Sequence, residues 1–94
     1  MEPLDFQLRP ALAQAVRLKM DPVTSEPVLL YPEGLLILNP TAHEIVSRCD
    51  GVATLESIVA ALAAEFDAPQ SQLATDVTAC LRDLRARRLI VLSP

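Results

Sequence analysis

The first half of the chain arranges its hydrophobic residues in short extended segments. Apolar and basic residues alternate over positions 16–20, a pattern typical of a strand with one face in water. Two wholly apolar segments follow at 28–31 and 35–38, and the Pro-Glu-Gly sequence at 32–34 between them suits a tight turn. This pattern predicts a three-stranded antiparallel β-meander, preceded by an N-terminal arm or loop over residues 1–15.

The second half has the three-to-four-residue spacing of amphipathic helices. Thr41 and Glu44 have the spacing of a capping box, while Thr54 and Ser71 are candidate N-caps for a second and a third helix. A short apolar segment at 89–92 is expected to be extended and to pack on the core. The predicted inward faces of the three helices are Ala42, Ile45, Val46 and Cys49; Leu55, Ile58, Val59, Leu62, Ala63 and Phe66; and Leu73, Val77, Cys80, Leu81 and Leu84.

A chain of 94 residues is large enough for one modest core and too small for two. The elements above therefore predict a single α+β domain over residues 16–94. Its three-stranded antiparallel meander is followed by a three-helix bundle, which is a winged helix-turn-helix-like arrangement with the wing placed before the helices.

The segment 35–38 has no polar residue on either face. Such a strand has to be covered on both sides, or it is open to pairing with another chain. Two occupants of the open edge remain as alternatives at this point, namely a foreign peptide and a second copy of the same strand in a homodimer. A third alternative is that the helix-turn-helix arrangement binds DNA.

Composition and charge narrow the range of functions. The net charge of −4 gives no general attraction for nucleic acid, and the third helix begins without a basic residue. One histidine, His43, and two separated cysteines, Cys49 and Cys80, make neither a zinc site nor a nucleophile–base pair. We therefore predict no enzyme activity, no metal and no cofactor. The chain has neither a secretion-signal pattern nor a membrane-spanning run, so the expected compartment is the cytoplasm.

The motifs of this chain together resemble the PqqD family of pyrroloquinoline quinone biosynthesis. The resemblance runs from about Arg9 to residue 90, and Arg88 departs from it because such domains often have glycine at the helix exit. The motifs that carry the resemblance are Val28-Leu-Leu-Tyr-Pro-Glu-Gly34, Leu38-Asn-Pro-Thr-Ala42, Ile45, Cys49-Asp-Gly51, Ile58-Val59, Leu62-Ala63, Asp76-Val77 and Leu81-Arg-Asp-Leu84.

The resemblance implies a peptide chaperone of the kind that recognises ribosomally made, modified peptides. Such a protein binds the precursor peptide PqqA and presents it to the radical S-adenosylmethionine enzyme PqqE, which cross-links a glutamate and a tyrosine of the peptide. In this family the peptide adds as an extra strand beside the third strand of the meander, in a groove formed with the third helix. The expected peptide-binding residues are Leu36, Ile37 and Leu38 on the strand and Leu73, Asp76, Val77, Cys80 and Arg85 on the helix.

Overall fold

The computed structural model describes residues 4–94, which form two small antiparallel sheets and three helices. The three-stranded sheet has the order β2-β3-β4 and is followed by the helices, so the predicted α+β fold with its antiparallel meander is confirmed. The strands are β1 (Arg9–Leu12), β2 (Arg17–Met20), β3 (Pro27–Tyr31), β4 (Gly34–Ile37) and β5 (Ile90–Ser93), and the helices are α1 (Pro40–Val46), α2 (Leu55–Phe66) and α3 (Gln70–Ala86).

The N-terminal segment contributes a strand that the sequence did not indicate. The prediction of an arm or loop over 1–15 is wrong for Arg9–Leu12, which forms β1 and pairs antiparallel with β5, with Arg9 opposite Ser93. Pro10 is among the most fully buried side chains, and its carbonyl accepts a hydrogen bond from Gly51 N–H at 2.9 Å. Residues 1–3 of the predicted arm lie outside the described residues. The predicted extended segment at 89–92 corresponds to β5.

Helix α1 begins at a different cap from the predicted one. Asn39 is the N-cap, its Oδ1 accepts a hydrogen bond from Ala42 N–H at 2.7 Å, and Pro40 is the first helical residue. The predicted Thr41–Glu44 capping box is therefore wrong. Asparagine is favoured at the N-cap and proline at the first helical position, so this pair outcompetes the threonine two residues later.

Of the N-caps predicted for the other two helices, one is confirmed and one is wrong. Thr54 is the N-cap of α2, and its hydroxyl accepts a hydrogen bond from Ser57 N–H at 3.2 Å, as predicted. Helix α3 begins at Gln70 after Pro69 and has no side-chain cap, so the predicted cap at Ser71 is wrong. Ser71 lies one residue inside the helix because Pro69 already sets the extended backbone that precedes it.

The end of α3 is where the resemblance leads us to expect glycine and the chain has Arg88. Arg88 has φ 62°, in the left-handed region, where glycine is the usual residue. The N–H of Leu89 donates to the carbonyl of Leu84 at 2.9 Å, and that of Arg88 donates to Arg85 at 2.9 Å. This is the Schellman arrangement of a helix end. The exit geometry that glycine favours is therefore kept, with arginine in the strained position.

A single aliphatic core lies between the meander and the helices. Leu29 and Leu81 are fully buried at its centre, and the predicted inward faces of the helices pack around them. Ala63 and Phe66 of the predicted α2 face are exceptions, since neither belongs to this core and Phe66, in the last turn of α2, is 51% exposed. Among residues 4–94, no helix combines the length and the apolar character needed to cross a bilayer.

Candidate functional site

The two edges of the meander differ in their readiness to accept another strand. Strand β2 forms one edge and carries Arg17 and Lys19, whereas β4 forms the other edge and has no charged residue. Charged side chains, lysine above all, are a common means of blocking edge pairing. The open edge of this sheet is therefore β4, the apolar segment singled out from the sequence.

The register of β4 shows which of its backbone groups are free. Leu38 N–H, just beyond the strand, donates to the carbonyl of Pro27 at 2.9 Å, so the backbone at position 38 points toward β3. Hydrogen-bonded and non-hydrogen-bonded pairs alternate along an antiparallel ladder, so Leu36 also points toward β3. The N–H and C=O groups of Leu35 and Ile37 then point away from the sheet, and their side chains are 52% and 59% exposed.

A groove of about 480 Å³ lies between β4 and α3, beside these free groups. Leu36, Ile37 and Leu38 form its strand wall. The first turn of α1, including Thr41 and Ala42, lines it at the end where β4 stops. The groove therefore combines a strand edge that lacks hydrogen-bond partners with a surface that side chains can contact.

Helix α3 forms the opposite wall through one strip of residues. Asp76, Ala79, Cys80, Asp83 and Leu84 line the groove, at the three-to-four-residue spacing of one helical face. The small side chain of Ala79 leaves this wall open. Cys80 is half-buried, and burial, with a smaller contribution from the Asp83 charge, raises the pKa of its thiol to about 11. Cys80 is therefore a protonated, apolar wall residue at neutral pH rather than a nucleophile.

The groove has an acidic side. Asp83 pairs with Arg87 at 3.1 Å, whereas Asp76 accepts hydrogen bonds from Gln72 Nε2 at 3.2 and 3.4 Å. Within residues 4–94 no group of three or more histidine, cysteine or acidic side chains has the arrangement of a metal site. Carboxylates on this face of α3 also repel the phosphates that a DNA-reading helix has to approach.

The structure brings five of the eight predicted site residues to this groove. Val77 is 1% exposed and belongs to the core, and Leu73 lines a neighbouring pocket instead. Arg85 is exposed but does not line the groove, because it lies about 140° around the helix from Cys80. Sequence reasoning missed Ala79 and Asp83, although Asp83 follows Asp76 by seven residues and so falls on the same helical face. The five in the groove are Leu36, Ile37, Leu38, Asp76 and Cys80.

Sequence comparison matches this chain to one protein family and to relatives that share one name. The model of the family described as "Coenzyme PQQ synthesis protein D (PqqD)" matches residues 26–90. A relative from Rhizobium meliloti (strain 1021), named PqqA binding protein, is 40% identical over 79 residues, which are 84% of this chain and 81% of the relative. A relative of the same name from Xanthomonas campestris pv. campestris (strain 8004) is 41% identical over 81 residues, 86% of this chain and 88% of its own.

Two solved structures share the fold. The solution NMR structure of the PqqD truncation of Methylobacterium extorquens PqqCD superimposes with a TM-score of 0.76 at 30% identity, covering 87% of each chain. That protein is described as a functional, stand-alone recognition element for ribosomally synthesised and post-translationally modified peptides. The crystal structure of PqqD from Xanthomonas campestris has a TM-score of 0.59 at 40% identity, covering 84% of this chain and 88% of that one.

Proposed function

Because this chain belongs to the PqqD family, as its motifs predicted, we propose that it binds the precursor peptide PqqA as an additional strand on β4. The relatives named PqqA binding protein support the choice of ligand. The observation that carries the binding mode is the uncharged edge at β4, where the outward backbone of Leu35 and Ile37 lies next to the groove. Strand addition to such an edge supplies affinity through main-chain hydrogen bonds and specificity through side-chain pockets.

In this proposal the peptide lies between β4 and α3. Its backbone pairs with Leu35 and Ile37, while its inward side chains contact Leu36, Leu38 and the Cys80 wall. Leu38 is 5% exposed, so it contributes the floor of the groove rather than a projecting contact. Val77 packs in the core beneath this surface and supports α3. Arg85 lies on another side of the helix and is not among the proposed peptide contacts.

The second part of the proposed role is presentation of the bound peptide to the radical S-adenosylmethionine enzyme PqqE in the cytoplasm. Ordering a flexible peptide into a strand offsets much of the contact free energy, which keeps such binding moderate and reversible. Reversible binding suits a protein that hands its ligand to an enzyme. The proposal assigns the cross-linking reaction to that enzyme and no reaction to this chain.

Self-association is the competing use of the same edge. A homodimer formed by pairing two β4 strands would cover the same backbone groups that the peptide needs. The two alternatives therefore exclude each other at one edge. A dimer that dissociates as peptide is added is compatible with the proposal, whereas a dimer that persists at saturating peptide is not.

Amide hydrogen exchange followed by NMR tests the proposal residue by residue. In the free protein, the amides of Leu35 and Ile37 should exchange fast, whereas those of Leu36 and Leu38 should be protected by β3. Saturation with synthetic PqqA should protect Leu35 and Ile37 and shift the resonances of Asp76 and Cys80. Unchanged exchange at β4 with peptide at about 1 mM, where binding of only about −4 kcal/mol is half complete, would overturn the proposal.

A further inference from the structure

We infer that the bound peptide extends beyond the end of β4, so that an apolar side chain of the same peptide enters a second pocket beside Phe66. A basic residue of the peptide lies next to that side chain and pairs with Asp76. This inference rests on the proposed function, since it names the kind of peptide that the groove selects. The protein would then recognise a side chain of the peptide in the second pocket, in addition to pairing with its main chain at β4.

The second pocket lies where the three helices meet. It encloses about 290 Å³ between the start of α1, the end of α2 and the start of α3. Its apolar surface comes from Pro40, Ile45, Leu62, Phe66 and Leu73. Small-molecule pockets typically enclose about 300–1,000 Å³, so this pocket is close to their lower limit. A volume of this size suits a single large side chain.

Phe66 and Leu73 are apolar side chains that lie outside the groove and are not fully buried in the core. Both fall on faces that the sequence predicted to be inward, yet Phe66 is 51% exposed and Leu73 is only partly buried. Together with the apolar lining of the pocket they form one contiguous apolar surface, the kind of surface that marks an interaction site where a single exposed residue does not.

The pocket adjoins the groove. Thr41, Ile45 and Asp76 line both cavities, so they form the boundary across which a peptide would pass from one to the other, which we call the passage. Pairing with β4 has to stop near Leu38, because the chain enters α1 at Pro40. A peptide that runs alongside β4 toward this end therefore leaves the strand at the passage and arrives at the second pocket. This adjacency favours the same peptide as occupant over a separate partner.

The charge at the passage identifies the neighbouring residue of the peptide. Among residues 4–94, the ion pairs are Arg48 with Glu44, Arg48 with Glu65 and Arg87 with Asp83. Asp76 therefore has no cationic partner in this part of the chain, and its hydrogen-bond partner is the neutral Gln72 amide. A lysine or arginine of the peptide would supply the missing cation where the peptide crosses from groove to pocket.

The decisive variant is Phe66→Ala, with Val23→Ala as the matched control. Val23 is 89% exposed in the loop between β2 and β3, so it reports the loss of an exposed apolar side chain away from both cavities. The amide of Ile37 reports strand pairing independently of the pocket. Affinity for synthetic PqqA is measured for each protein together with that amide signal.

We expect Phe66→Ala to weaken peptide binding by about tenfold, because the covered half of the ring is lost, while saturating peptide still shifts Ile37. Val23→Ala should bind like the wild type. Asp76→Asn should weaken binding by roughly two- to fivefold, and added salt should reduce that difference.

Three outcomes separate the inference from the proposed function. If Phe66→Ala matches Val23→Ala, and the ring signals of Phe66 in the wild type do not move at saturation although Ile37 shifts, the second pocket is not used and strand addition stands. If the ring signals move and the affinity falls, the inference holds. If neither Ile37 nor Phe66 responds in the wild type, both the inference and the proposed function fail.

Discussion

Replacing Ile37 by proline removes one outward hydrogen-bond donor from β4 and leaves the ladder to β3 intact. The N–H of Leu38 donates to the carbonyl of Pro27 at 2.9 Å. Because hydrogen-bonded positions alternate along an antiparallel strand, the N–H of the preceding residue, Ile37, points away from the sheet. Proline is tolerated on an edge strand when its missing N–H would have faced outward. The matched control is Ile37→Ala, which removes the side chain and keeps the donor.

The expected magnitudes separate stability from binding. Ile37 is 59% exposed, so about two-fifths of its area is buried. Full burial of such a side chain contributes about 1.5–3 kcal/mol, so either variant should lose roughly 1 kcal/mol of unfolding free energy. One main-chain hydrogen bond contributes about 0.5–1.5 kcal/mol net, and a peptide carbonyl left unsatisfied in the groove costs more. Ile37→Pro should therefore bind PqqA about tenfold more weakly than Ile37→Ala.

The assay is urea unfolding of both variants followed by titration with synthetic PqqA. Comparable unfolding midpoints show that the sheet survives in each. Equal affinities of Ile37→Pro and Ile37→Ala would refute the reasoning, because they would show that no hydrogen bond from this N–H holds the peptide. Leu36→Pro provides the opposite control, since its N–H faces β3, and it should unfold the hairpin in the absence of any peptide.

Three further predictions concern the helix exit and the two thiols. Arg88→Gly should be about 1 kcal/mol more stable to urea than Arg88→Ala, because glycine alone relieves the strain at φ 62°; equal stabilities would mean that the left-handed backbone carries no cost. Burial raises the pKa of Cys49 to about 12 and that of Cys80 to about 11 from an ordinary 9.0. The unfolded chain thus loses these protons first, so stability should fall as pH rises above 9, and less steeply in Cys49→Ala. Maleimide labelling of Cys80 in the folded protein should be slow at pH 7.5 and blocked by peptide, and labelling as fast as in urea would contradict its burial.

The parts of the fold that could be read from the sequence are those with local patterns. The apolar run of β4, the N-cap at Thr54 and most of the inward faces of α2 and α3 depend on spacing within one element, and the sequence predicts them correctly. Strand β1 could not be found this way, because its partner β5 lies near the other end of the chain and Pro10 interrupts its pattern. The cap of α1 was missed because two valid caps overlap, and the one followed by proline prevails.

The α3 side of the candidate site can be predicted from the sequence only as well as rotation by 100° per residue assigns residues to one face of a helix. Asp76 and Cys80 lie at the border between the core and the groove, and the sequence placed them correctly beside β4. Val77 belongs to the centre of the buried stripe, and only the packed structure shows that it does not reach the groove. Leu73 could not be placed, because the pocket beside it is made by three helices whose meeting point no single pattern encodes.

The pairing of β1 with β5 places a strand near the start of the described chain beside the strand at its end, since Arg9 lies opposite Ser93. Neither strand lines the groove. A linker to another polypeptide on the side of β1 or of β5 would therefore not have to cross β4. Tethered to another protein on the side of either strand, or circularly permuted, the domain would keep β4 open, and a peptide bound there would be held at a raised local concentration around the tethered protein.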